Sequence, residues 1–266
     1  MEKLNIWSES REVRFGVIDK SDLMTLDAVM DFFQEAAISH AENLGVGREA
    51  MARARQGWIL SRLSVEIHRR PQYGEAVTVR TWPRGVEKLF ALRDFDIRDA
   101  SGNPAVQARS CWLVIDIEKR RPLRPQSVMD SIPQNEGQDA LPFAASLEER
   151  PYLQQVAERQ ALYTDVDYNS HVNNVSYIRW IEDALDPALL EKAQRMRLDI
   201  NYLSEILPGE VTGIRAAEIE TAAASAVPVA SPVAVLPPSH AFAFDGKKDQ
   251  PPDNPFAFRA ELRLWH

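Results

Sequence analysis

A chain of 266 residues has room for one large domain or two of ordinary size, and 45% hydrophobic with 26% charged residues excludes wholesale disorder. A net charge of −8 argues against general nucleic-acid affinity, and a single cysteine, Cys111, excludes an internal disulfide framework or a multi-cysteine metal site. No stretch approaches the roughly 18 apolar residues of a membrane helix and the N-terminus lacks a signal-peptide core, so the expected setting is a reducing cytoplasm.

Residues 11–18 alternate polar and apolar side chains and read as a first strand. Leu26, Val29, Met30, Phe33, Ala36, Ala37, Ala41 and Leu44 then recur at helical spacing, with Thr25 as N-cap and Gly45 and Gly47 suited to the C-terminal end. Strand-like runs follow at 57–68, 76–82, 89–98 and 105–117. One helix followed by consecutive strands indicates an α+β class with an antiparallel sheet, not βαβ units. Residues 62–124 carry 13 Lys and Arg against 8 Asp and Glu, a local excess that reads as a solvated face or as a surface for an acidic partner. Residues 125–149 lose periodicity, carry Pro133, Gly137 and Pro142, and read as a linker.

The second half starts again with a strand at 159–167 and a helix over about 174–185, with Val175, Ile178, Ile181 and Ala184/Leu185 on one side and an interruption or end at Asp186-Pro187. Strands are expected at 196–203 and 211–217. Residues 221–238, almost wholly Ala, Val, Pro and Ser, read as a low-complexity insertion or a covered edge strand; 246–255 reads as a loop and Phe256–Trp265 as the last strand.

Residues 163–180 hold the candidate chemistry. Asp167, Asn169 and His171 stand at every second position, which places them on one face of a strand just before a helix opens at Asn173. An imidazole that titrates near neutrality, a carboxylate to orient it and an amide to donate to an oxyanion make an acid–base kit. The same residue types are also ordinary turn and N-cap residues. An internal repeat bears on the choice. At an offset of 148, Phe15 falls on Tyr163, Ile18 on Val166, Asp19 on Asp167, Thr25 on Asn173 and Phe32 on Trp180. At an offset of 135, Val65 falls on Ile200, Ile67 on Tyr202, and Gly74-Glu75 on Gly209-Glu210. Where the second half has Asn169, His171 and Glu205, the first has Ser21, Leu23 and Arg70. A turn motif with only a structural task would stand in both copies, so the asymmetry points to chemistry in the second copy and to another task, such as holding a substrate, in the first.

The run Asp-Val-Asp-Tyr-Asn-Ser-His-Val-Asn-Asn-Val-Ser-Tyr at 165–177 resembles the most specific motif of the acyl-acyl carrier protein thioesterases. Weaker likenesses fall in the right order at 11–46, at 57–82 with Arg69-Arg70-Pro71 and Gly74, and at 93–128 with Cys111-Trp112 and Arg120-Arg121-Pro122. The resemblance implies two tandem hotdog domains, each a long helix wrapped by a curved antiparallel β-sheet. Residues 1–130 would be an N-terminal domain shaping the acyl-chain pocket without a catalytic set, 131–157 an interdomain linker, and 158–266 a C-terminal domain carrying the catalytic residues, with an insertion near 221–255. The implied activity is hydrolysis of fatty acyl-acyl carrier protein thioesters in fatty acid biosynthesis. Asp167, Asn169 and His171 match the motif's catalytic positions, and Glu205 looks like the acidic residue that completes the site.

Plant members often carry a cysteine directly after that Glu. Here the position is Ile206 and Cys111 lies in the other half, which leaves hydrolysis by activated water. Glu205, with or without His171, would deprotonate the water. Asn169 and backbone N–H groups at the helix start would stabilise the oxyanion, and Asp167 would orient its neighbours. No cofactor or metal is expected, since no His/Cys/Asp/Glu set has ligand spacing; His40 reads as structural. The implied partner is an acyl carrier protein bearing a phosphopantetheine-linked acyl chain. Arg69, Arg70, Arg80, Arg84, Lys88, Lys119, Arg120 and Arg121 are candidates to receive it, and a monomer or a homodimer fits equally. The alternatives are an acyl-CoA thioesterase of the same fold, a non-catalytic acyl-binding or carrier-docking module, and a hotdog dehydratase, whose motif has no match here.

Overall fold

The apolar spacing of residues 26–44 becomes α1 (Leu26–Leu44), with Leu26, Val29, Met30, Phe33 and Ala36 buried and Gly45 closing it at φ 77 through an N–H bond to Ala41 O. Thr25 sits at the N-cap position, but its hydroxyl bonds the Asp27 carboxylate instead of capping a backbone N–H. This computed structural model describes residues 2–221, 237–249 and 254–266, which fall into two units, Met1–Ala144 and Ala145–His266.

In the first unit the strands are β1 (Trp7–Glu12), β2 (Gln56–Ile67), β3 (Ala76–Glu87), β4 (Phe90–Arg98), β5 (Pro104–Asp116) and β6 (Arg121–Leu123). They pair antiparallel in the order β1-β3-β4-β5-β2, with β6 on β5. Phe33 of α1 meets Phe95 of β4 with ring centroids 4.8 Å apart, tying the helix to the sheet. Pro83 is accommodated inside β3 because the ladder shifts register between Pro83 and Gly85. Two short helices that periodicity did not signal, α2 (Arg48–Arg53) and α3 (Gln126–Met129), place Met51, Val128 and Met129 against Leu44, Ala91 and Val114.

The second unit holds β7 (Gln154–Gln160), α4 (Asn174–Asp183), α5 (Pro187–Lys192), β8 (Arg195–Tyr202), β9 (Val211–Glu218), β10 (His240–Lys248) and β11 (Phe256–Trp265). Its antiparallel order is β7-β9-β10-β11-β8. Counted within each unit, both sheets run first, third, fourth, fifth, second strand. Asn173 caps α4 by accepting the Val175 N–H at 2.9 Å, and Asp186-Pro187 starts the next helix, with Asp186 capping α5. The architecture is thus mixed helix and antiparallel sheet, as the α+β expectation had it.

The repeat reaches individual bonds. Met24 N–H bonds Pro71 O and Val172 N–H bonds Ile206 O, both at 2.9 Å. Gly74 N–H bonds Val13 O at 2.8 Å and Gly209 N–H bonds Ala161 O at 2.9 Å. A bidentate Arg80–Asp96 pair across β3 and β4 recurs as Arg215–Asp245 across β9 and β10, each with a 2.6 Å contact.

Four local expectations differ. The strands expected at 11–18 and 159–167 lie earlier, at β1 and β7, and the 3-10 turns Phe15–Val17 and Tyr163–Asp165 occupy the later residues. Helix α4 ends at Asp183, short of Leu185. The aperiodic stretch read as a linker is packed: Trp82 Nε1 donates to Gln138 O at 2.8 Å, Asp139 pairs with Arg84 and Arg109, and Ala140 N–H donates to Asp94 at 2.9 Å. The segment 221–255, read as an insertion, contains β10, part of which was read as loop; its remaining stretches 222–236 and 250–253 lie outside the described residues.

Candidate active site

Asp167, Asn169 and His171 are brought together by a turn and not by a strand, which corrects the period-two reading. Val166 and Val172 form an isolated antiparallel bridge. Between them Asp167 N–H donates to His171 O at 2.9 Å and Ser170 N–H to Asp167 O at 3.0 Å. Ser170 takes φ 64, the left-handed value that reverses the chain. The Asp167 carboxylate braces the turn, accepting Asn169 N–H at 2.8 Å and Asn169 Nδ2 at 3.4 Å. Asp19 does the same in the first unit, accepting Ser21 N–H at 2.7 Å, and Asp22 there takes φ 59. The aspartate therefore has a turn-bracing task in both copies.

The partners of the turn distinguish the copies. In the first unit Arg70, buried, donates to Asp19 at 2.6 Å and to Leu23 O at 3.1 Å, filling the space beside the turn. In the second unit the matching loop supplies Glu205 instead. Its Oε2 lies 3.2 Å from His171 Nε2, with side-chain exposures of 37% for the imidazole and 41% for the carboxylate. An imidazole and a carboxylate in contact, and both open to solvent, can take a proton from a bound water and return it.

The surroundings hold this pair. Ile206, fully buried, anchors the loop beneath the site through the Val172 N–H bond. Tyr177 of α4, buried, packs edge-on against Tyr202 of β8 and Phe258 of β11, and Tyr202 Oη donates to Asn174 O at 3.1 Å. Burial raises the titration of both phenols above the usual tyrosine range, so neither is an acid–base group at neutral pH. Lys248 Nζ donates to Glu205 O at 2.8 Å and lies 3.4 Å from Glu210. Sequence reasoning missed Tyr177, Tyr202 and Lys248. The tyrosines carried only core spacing, and Lys248 lay in a stretch read as loop.

Cys111 is fully buried in β5, and burial pushes its thiol up to about 11, so a thiolate is not available there at neutral pH. Among the described residues no group of three or more His, Cys, Asp or Glu could hold a metal ion, and no helix is long and apolar enough to cross a membrane. Several basic residues singled out for a partner are neutralised within their own unit: Arg69 by Glu75, Arg70 by Asp19, Arg80 by Asp96 and Arg84 by Asp139.

Two units share one topology, and the second alone carries the imidazole–carboxylate contact of His171 and Glu205. Residues 5–133 match the acyl-ACP thioesterase N-terminal domain and residues 149–227 the acyl-ACP thioesterase C-terminal domain. The chain belongs to the acyl-acyl carrier protein thioesterase family. It is 25% identical over 217 residues to a chloroplastic acyl-[acyl-carrier-protein] hydrolase of Cuphea viscosissima, covering 74% of this chain and 51% of that protein. It is 24% identical over 227 residues to the chloroplastic oleoyl-acyl carrier protein thioesterase 1 of Arabidopsis thaliana, covering 77% of this chain and 62% of that one. The chain thus spans between about half and three-fifths of the length of these relatives. Its fold is that of an acyl-ACP thioesterase from Bacteroides thetaiotaomicron, with a TM-score of 0.76 at 24% identity over 98% of both chains. The 12:0-ACP thioesterase from Umbellularia californica superposes with a TM-score of 0.74 at 19% identity, covering 97% of this chain and 93% of that one.

Proposed function

We propose that this protein hydrolyses fatty acyl-acyl carrier protein thioesters to free fatty acid and carrier protein, as a step of fatty acid biosynthesis in a reducing compartment. Each unit is read as a hotdog domain, its long helix wrapped by its curved sheet. One observation carries the reading: an imidazole and a carboxylate 3.2 Å apart stand where the first unit has Leu23 and Arg70.

In this reading a water attacks the thioester carbonyl carbon, and Glu205 acting with His171 takes the water's proton as the C–O bond forms. The carbonyl oxygen becomes an oxyanion, stabilised by the Asn169 amide and by N–H groups at the start of α4. The C–S bond then breaks, and the proton held by the pair goes to the departing phosphopantetheine thiolate. Asp167 keeps Asn169 in place through its two bonds across the turn. Ile206 beside Glu205 and the buried Cys111 offer no thiol nucleophile. The exposed run Lys119-Arg120-Arg121 is the basic surface proposed to meet the acidic carrier.

The test is thioester hydrolysis over a chain-length series of acyl-carrier-protein and acyl-CoA substrates, by wild type and His171→Ala. Turnover on the carrier-bound series, reduced about 10²–10⁴-fold in a folded His171→Ala, is expected. Turnover on acyl-CoA alone would replace the partner, and no turnover on either series would leave a binding module.

A further inference from the structure

In the first unit the loop at 68–75 is tied by its own cation: Arg69 forks onto Glu75 at 2.8 and 2.6 Å, and Arg70 reaches Asp19. The second unit carries Ser204 and Glu205 at these two positions, so its loop contains no cation. Ser204 turns its hydroxyl to Phe256 O at 3.0 Å instead.

The missing charge comes from another element. Lys248, the last residue of β10, donates from Nζ to Glu205 O at 2.8 Å and lies 3.4 Å from Glu210 Oε2, which in turn accepts Leu207 N–H at 3.0 Å. Lys248 pairs with Thr212, whose counterpart in the first unit is Val77. The next residue there, Thr78, faces Arg98, so the place of Lys248 falls one residue beyond β4, on Asp99. Asp99 adds its charge to the field on Arg69. Between the copies the cation has changed sides while the loop glutamate stays: Arg69 and Asp99 stand where the second unit has Ser204 and Lys248, and Glu75 where it has Glu210.

The Lys248 side chain is only 6% exposed. A buried ammonium is tolerated when its protons are bonded, so the Glu205 carbonyl and the Glu210 carboxylate are held to it. Pinning the main chain of Glu205 leaves that residue only its side-chain torsions with which to meet His171. We propose that Lys248 is a positioning residue for the hydrolysis, a clamp from β10 that sets where the Glu205 carboxylate stands. This rests on the proposed function. It names a residue outside the sequence motif and outside the pair that touches substrate.

The experiment compares Lys248→Met and Lys248→Arg with wild type on one carrier-bound acyl thioester, alongside amide hydrogen exchange of residues 203–210. Lys248→Met is expected to lower kcat roughly 10- to 100-fold, because a small misplacement of a reacting group costs on that scale. KM is expected to stay within about twofold, exchange at Leu207 to speed up, and Lys248→Arg to recover most of the rate. A merely structural lysine would lower the unfolding midpoint without lowering kcat in the folded fraction. A folded Lys248→Met with wild-type kcat overturns the proposal. If that variant does not fold, Glu210→Gln, which keeps an acceptor for Leu207 N–H but removes the ion pair, decides: unchanged kcat and unchanged exchange overturn it. A wild type that hydrolyses no thioester, with the 203–210 exchange still sensitive to Lys248→Met, strikes the function and leaves the clamp.

Discussion

His40 and His171 put one side chain to opposite uses. His40 is fully buried in α1; its Nδ1 accepts from Arg93 Nη1 at 3.1 Å and its Nε2 donates to Leu4 O at 2.9 Å. Burial first, and the Arg93 charge second, lower its titration to about 4, so it stays neutral in the folded chain. The unfolded chain binds a proton near 6.5, so this contribution is complete above that pH and is lost as pH falls from 6.5 towards 4. By the size of the shift it amounts to about 3 kcal/mol. Urea midpoints measured across that window should fall in wild type and lose this component of the slope in His40→Gln. Cys111 supplies a second residue-scale test. Removing a buried thiol that takes no part in the chemistry should cost stability by leaving a small void and leave kcat near wild type. A Cys111→Ala variant that folds but no longer turns over would restore a thiol mechanism.

At the scale of elements, legibility followed locality. Helices α1 and α4 announced themselves because their apolar spacing and end residues are local properties, as were most of the strands. The turns at Phe15–Val17 and Tyr163–Asp165 were misread because a few residues of alternation do not separate a strand from a 3-10 turn, and the bridged turns that follow rest on the positive φ of Asp22 and Ser170, which alternation does not show. Strand β10 was partly missed because Gly246 and two lysines follow its aromatic alternation, and its pairing with β9 and β11 is what holds it extended. The stretch to Ala144 was misread for the same reason: Asp139 and Ala140 are held by Arg84, Arg109 and Asp94, each at least thirty residues away. Burial opposes ionisation of Asp94 and raises its titration, and Arg109 at 2.5 Å, itself buried, offsets part of that cost. Arg109→Met removes one partner and strands the other, so it should destabilise by about 3–5 kcal/mol. Denaturant unfolding checks this; a change under about 1 kcal/mol would mean that the ion pair is no anchor for the segment.

Across the whole molecule, one supersecondary plan occurs twice and the imidazole–carboxylate contact of His171 and Glu205 once. The shared register, the recurring Arg–Asp pair of the sheets and the bracing aspartates Asp19 and Asp167 belong to the plan. His171 and Glu205 replace Leu23 and Arg70, so an internal arginine–aspartate bond gives way to an open acid–base pair. The motif singled out His171 and Asn169 and the family likeness Glu205, and the structure brings His171 and Glu205 into contact. Lys248 was not legible, because its meaning depends on which strand lies beside the Glu205 loop. The most direct test of the central claim is the single-turnover rate of hydrolysis of an acyl-carrier-protein thioester by Glu205→Gln, with folding checked by circular dichroism. The account predicts a fall of about 10²–10⁴-fold with KM near wild type. A folded Glu205→Gln that hydrolyses at the wild-type rate would contradict it.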